Sequence, residues 1–176
     1  MTDKVQLYFW DAKTSEDYPP SAARLAVFPA QYAERYRNAK TEDVKMQAVG
    51  SATLLAMYGE ELTDDRCHVN LSHSGSLTVL AVANGPVGVD IEHRREVSES
   101  IVDRFFPDSF KALVEAAPPE QKQDTALECW TKLEAGLKAD GRGLTPPRSE
   151  FESILSRYDI ETEWRDDLCL SVATEK

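Results

Sequence analysis

In the C-terminal half of the chain, apolar residues recur at Leu127, Trp130, Leu133 and Leu137, a spacing of three or four that lines one face of a helix. The pattern predicts a long helix from about Asp124, read as its N-cap, to Asp140, with Gly141 as the C-terminal glycine. Gln31 to Tyr58 is also helical in pattern. Thr41 reads as an N-cap inside that stretch and Gly59 as its stop, so two helices joined near Ala39–Thr41 are expected. The segment "SESIVDRFFPDSFKALVEAA" reads as two short helices broken at Pro107, with "APPEQKQ" a loop after it.

Strand patterns account for much of the rest. "VQLYFWDA" is strand-like, and "SEDYPPSAARLAVFP" behind it is rich in turn formers. In "LTVLAVANGPVGVDIE" two β-rich runs flank Asn84-Gly85, which predicts a hairpin. "IETEWRDDLCLSVAT" alternates Ile160, Thr162, Trp164 and then Leu168, Leu170, Val172 around Arg165–Asp167, a second hairpin. The order strand, helices, hairpin, helices, hairpin predicts an α+β fold of two similar α/β halves, about residues 1–86 and 87–176, within one globular unit.

Composition narrows the function classes. A chain of 176 residues buries enough surface to fold without a disulfide or metal staple. Its three cysteines, Cys67, Cys129 and Cys169, are far apart and form no C-x-x-C pair, so they read as reduced thiols of a cytoplasmic protein. No apolar run is long enough for a signal peptide core or a membrane span. A net charge of −11 argues against nucleic acid or a membrane surface as partner. Within that acidic chain, Arg24 to Lys45 is locally basic, which suits either an anionic ligand or a solvated helix face.

The candidate chemistry is carboxylate chemistry. In "PVGVDIE" the strand period of two puts Val87, Val89 and Ile91 on one side and Gly88, Asp90 and Glu92 on the other, the two acids roughly 7 Å apart at Cα. The apolar face is expected to pack and the acidic face to look outward. Such a pair is either a solvated strand edge or a site bridged by a hard cation, Mg²⁺ or Mn²⁺. On the long helix Glu134 and Lys138 border the apolar stripe, four residues apart, which is also the favoured order of an ordinary surface ion pair.

Three motifs in order carry a resemblance. "VNLSHSGSLTVLAVANGPVGVDIE" resembles the N-[IL]-S-H-S-G segment and G-[IV]-D-[IV]-E strand of the 4′-phosphopantetheinyl transferases, in the longer two-half form that serves synthetases and carrier proteins. "IVDRFF" resembles the arginine–phenylalanine helix that follows, and "WTKLEAGLKADGRGL" resembles the family's W-x-x-K-E-[AS]-x-x-K-x-x-G-x-G-L helix. The resemblance implies two halves packed as a pseudo-dimer in a monomeric chain. It implies an enzyme that moves the phosphopantetheine arm of coenzyme A to a serine of an apo acyl or peptidyl carrier protein and releases 3′,5′-ADP. It implies Asp90, Glu92 and Glu134 as Mg²⁺ ligands, Glu134 also as acceptor of the serine proton, and Lys138 against the phosphates. Ser72 and His73 of the S-H-S segment would contact coenzyme A, with Arg35, Arg37 and Lys45 as its basic partners, while Trp130 would serve as a packing anchor.

The sequence also departs from the family pattern. Leu133 stands where the helix motif has its first lysine, and as a residue at the edge of the stripe it is expected to accept a lysine there. The family's Gly-Lys-Pro strand before the S-H-S segment is absent, and Gln31, Glu34 and Met46 fall where basic residues are usual. Two readings follow: a transferase of reduced activity with a divergent coenzyme A pocket, or a non-catalytic relative that binds a carrier protein or nucleotide.

Overall fold

Strand β1 (Gln6–Asp11) begins the described part of the chain; the structure, a computed structural model, describes residues 5–58 and 67–176. Three helices follow, α1 (Ala22–Val27), α2 (Ala30–Asn38) and α3 (Glu42–Tyr58), then strands β2 (His68–Ser74) and β3 (Leu77–Ala83). The turn-rich stretch after β1 therefore holds a helix the pattern did not announce, started by Ser21, whose hydroxyl accepts from the Arg24 N–H. Thr41 starts α3 as expected, its hydroxyl accepting from the Val44 N–H. Gly59, read as the stop of that helix, lies outside the described residues.

The second set of elements is β4 (Val87–His93), α4 (Glu99–Phe105), α5 (Asp108–Ala116), α6 (Lys122–Ala139), α7 (Phe151–Leu155), β5 (Tyr158–Arg165) and β6 (Leu168–Glu175). Pro107 separates α4 from α5, and Gly141, at φ +79°, follows the end of α6. Asp124 is not the N-cap of α6; it lies in the first turn and holds Arg94 at 2.6 Å.

Contacts divide the chain into two units, Met1–Asn84 and Gly85–Lys176. Each contains one three-stranded antiparallel sheet, ordered β1-β3-β2 in the first and β4-β6-β5 in the second. In both, the third strand is central and the first two flank it, so the two units share one connectivity. Each also has its own core. In the first, Trp10, Val49, Ala52, Leu54 and Leu80 bury where α3 crosses β1 and β3; in the second, Leu127, Trp130, Leu133, Leu137 and Phe151 bury around α6.

The hairpin expected at Asn84-Gly85 does not form. A type I′ turn needs positive φ at both central residues, and neither Asn84 nor Gly85 has it. Pro86 biases Gly85 towards extended backbone, and β3 already has β1 and β2 on its two edges. The dipeptide marks the boundary between the units instead. The real hairpins are β2–β3, turning at Gly75-Ser76 with Gly75 at φ +56°, and β5–β6, turning at Asp166-Asp167 as the alternation predicted.

Candidate functional site

The carboxylate strand β4 is covered on the side that carries Asp90 and Glu92, contrary to the outward-looking acidic face read from the alternation. Gly88 shares that side, and α6 lies against it. A Cβ placed on Gly88 would stand 1.9 Å from the Ala135 carbonyl oxygen and 2.5 Å from the Ala139 nitrogen. Only glycine lets helix backbone come this close. With apolar side chains on the other side, the strand buries on both, and Asp90 is just 4% exposed. Gly88→Ala should therefore push α6 off β4 and lower stability by about 1–3 kcal/mol. Thermal unfolding checks this; an unchanged melting temperature would mean the contact can relax without loss.

That close approach assembles the charged cluster. Lys138 Nζ donates to Asp90 Oδ1 at 2.7 Å and to the Val89 carbonyl at 3.1 Å, and it lies 3.7 Å from Glu134 Oε2. Arg95, just beyond β4, donates through Nη2 to Glu92 Oε1 at 2.6 Å. Burial pushes the Glu134 carboxyl up to about 7; the Asp90 charge adds to the push, Lys138 pulls against it and Glu92 adds a smaller push. The Arg95 guanidinium is held above its ordinary value, first by its hydrogen bond to Glu92, with Asp90 and Glu134 contributing their charge. Three carboxylates and two cations thus share one electrostatic neighbourhood. Arg95 was missed in the motif; the available signal was a basic residue three positions after the second acid.

Among the described residues no three His, Cys, Asp or Glu side chains stand close enough together to hold a metal ion. The Lys138 ammonium lies between Asp90 and Glu134, where it does a cation's work of offsetting two negative charges. The donor set still fits a hard divalent ion. It is all oxygen, and mutual repulsion with burial already raises Glu134, the condition a bound cation would relieve.

Leu133 contradicts the edge position read from the stripe: it is 0% exposed and among the largest fully buried side chains of the protein. The reason is that α6 packs on the sheet and also on α5 and α7, so burial wraps most of its circumference. Trp130 is the packing anchor expected, edge-on to Phe105 with ring centroids 5.8 Å apart.

The remaining predicted residues belong to the first unit. Ser72 and His73 lie in strand β2, not in a turn, and Ser72 is buried. His73 Nε2 is 2.7 Å from Ser51 Oγ, whose own proton goes to the Gln47 carbonyl at 2.8 Å, so His73 must be the donor through Nε2–H. Arg35 donates to Gln47 Oε1 at 2.9 Å and Lys45 pairs with Glu42 at 3.2 Å; Arg37 is exposed at the end of α2.

With the geometry in place, the comparisons agree with the motifs. Residues 86–167 match the 4′-phosphopantetheinyl transferase superfamily. The segment that holds the carboxylate cluster is the one that is similar to that superfamily. The 4′-phosphopantetheinyl transferase gsp of Aneurinibacillus migulanus is 33% identical over 94 residues, which are 53% of this chain and 40% of that protein. The 4′-phosphopantetheinyl transferase psf-1 of Bacillus pumilus is 38% identical over 90 residues, 51% of this chain and 38% of its own. Sfp of Bacillus subtilis strain 168, also a 4′-phosphopantetheinyl transferase, is 31% identical over 96 residues, 53% and 43% of the two chains. The matched stretch thus spans about two fifths of the length of these curated relatives. No helix among the described residues is long and apolar enough to cross a membrane.

Proposed function

We propose that the chain transfers the 4′-phosphopantetheine arm of coenzyme A to a serine hydroxyl of an apo acyl or peptidyl carrier protein, with release of 3′,5′-ADP. The observation that carries this is the convergence of Asp90 and Glu92 from β4 with Glu134 and Lys138 from α6, inside the segment that matches the superfamily. Asp90, Glu92 and Glu134 would hold Mg²⁺, which when bound supplies charge neutralisation at the pyrophosphate.

The chain's own residues do the rest. Lys138 is placed to turn from the carboxylates to phosphate oxygens. Glu134, whose carboxyl is pushed up to about 7 by burial, suits a base that accepts the serine proton directly or through one water. Ser72, His73, Arg35, Arg37 and Lys45 are proposed coenzyme A contacts on the resemblance alone.

Incubation with coenzyme A, Mg²⁺ and a panel of apo carrier proteins, read by intact mass, tests the reading. A gain of one phosphopantetheine on a carrier is expected. Asp90→Asn, which keeps an acceptor for Lys138, should lower transfer by about 100-fold or more and remove Mg²⁺-dependent thermal stabilisation. A wild-type chain that binds carrier or nucleotide but never modifies a carrier would replace the transferase with a binding relative.

A further inference from the structure

The carboxylate cluster has a second cation whose hydrogen-bonding capacity is only partly used. Arg95 gives one Nη2 proton to Glu92 at 2.6 Å and one Nη1 proton to the Glu96 carbonyl at 3.3 Å. A guanidinium has five N–H donors, and the other three of Arg95 meet no acceptor among the described residues. Its side chain is 38% exposed, so those donors are open to a ligand. Lys138 meets Asp90, Val89 and Glu134 in this structure, and Arg94 is occupied by Asp124 and stacked 4.5 Å over Trp164.

We propose that Arg95 is a substrate ligand, binding the pyrophosphate of coenzyme A beside the carboxylate cluster. This rests on the transferase reading above. Two physical features favour a phosphate. A guanidinium fork matches two phosphate oxygens at once, which an ammonium does not. Glu92 also holds the side chain before substrate arrives, so less side-chain freedom is lost on binding. The position is informative too: Arg95 is hydrogen-bonded to Glu92, which shares the covered side of β4 with Asp90.

Isothermal titration of wild type, Arg95→Ala and Arg95→Lys at fixed Mg²⁺ tests this, with inorganic pyrophosphate and coenzyme A as ligands and Mg²⁺ alone followed by thermal shift. Arg95→Ala should weaken both ligands by roughly tenfold or more. Arg95→Lys should recover part of the loss, since it restores charge without the fork. Binding of Mg²⁺ alone should tighten, because a competing cation beside Glu92 has gone; a merely structural arginine would not give these opposite signs. Arg95→Ala that binds both ligands like wild type overturns the proposal. So does unchanged coenzyme A affinity with a raised KM for the carrier, which would assign the arginine to carrier docking. If Arg95→Ala does not fold, Arg95→Gln takes its place. Wild type that binds neither ligand fails the transferase reading itself, a result distinct from a variant that matches wild type.

Discussion

Leu133→Lys should strongly destabilise the second unit and leave any transfer activity lower, not higher. The family motif has a lysine at this place, so restoring it looks like a repair. Here the side chain is 0% exposed inside the α6 core with Leu127, Trp130 and Leu137. Replacing it forfeits about 1.5–3 kcal/mol of apolar burial and puts an ammonium where withdrawing it from water costs several kcal/mol more. A loss of about 4 kcal/mol would lower the melting temperature by about 10 °C for a chain of this size. Leu133→Met, which keeps volume and polarity, should cost less than about 1.5 kcal/mol. The pair separates packing from chemistry. If the lysine variant melts within about 2 °C of wild type, its stem finds a route to the surface that the structure does not show, and Leu133 returns to the list of altered phosphate contacts.

Much of the fold was legible where one local rule acted without competition. Pro107 ends α4 because proline removes a donor, and the alternation of Ile160, Thr162 and Trp164 makes β5 because nothing interrupts the period. The failures came where a local signal met a tertiary fact. Asn84-Gly85 carries a strong turn preference, but the partner strands are elsewhere, and Pro86 was the residue that should have tempered it. Gly75-Ser76 is also a recognised two-residue turn, and Gly75 takes the positive φ that such a turn needs. The grouping of Asp90, Glu92, Glu134 and Lys138 was readable from motif and period. Their burial was not, because it depends on Gly88 admitting a helix to the acidic side, an approach between residues more than forty positions apart. Arg95 stayed hidden for a related reason: a loop arginine gains meaning only when the carboxylates it faces are known.

Glu134 should make the metal-free protein lose stability as pH rises from about 4.5 to about 7, the interval between its ordinary and its folded value. In that window the folded chain keeps a proton that the unfolded chain releases. The folded state is therefore favoured fully below about 4.5, and the advantage is gone above about 7. The direction is opposite to that of Glu42 and Asp140, whose carboxyls are held low by hydrogen bonds, from Tyr18 in the first case and from Arg142 and Arg157 in the second, and whose contributions are lost only in acid. The shift corresponds to about 3 kcal/mol, with Asp90, Glu92, Lys138 and Arg95 as the charges that act on Glu134. Glu134→Gln removes the titration while leaving Lys138 its 2.7 Å contact with Asp90. Chemical denaturation in chelator at pH 5 and pH 8 should show the glutamine variant gaining about 2 kcal/mol on wild type between the two. Adding Mg²⁺ at pH 8 should stabilise wild type, whose ionised carboxylates then have a divalent partner, more than the variant. A pH dependence that is the same in both proteins would show that Glu134 is not the strained carboxylate. A glutamine variant that keeps the whole Mg²⁺ effect would remove it from the metal site as well.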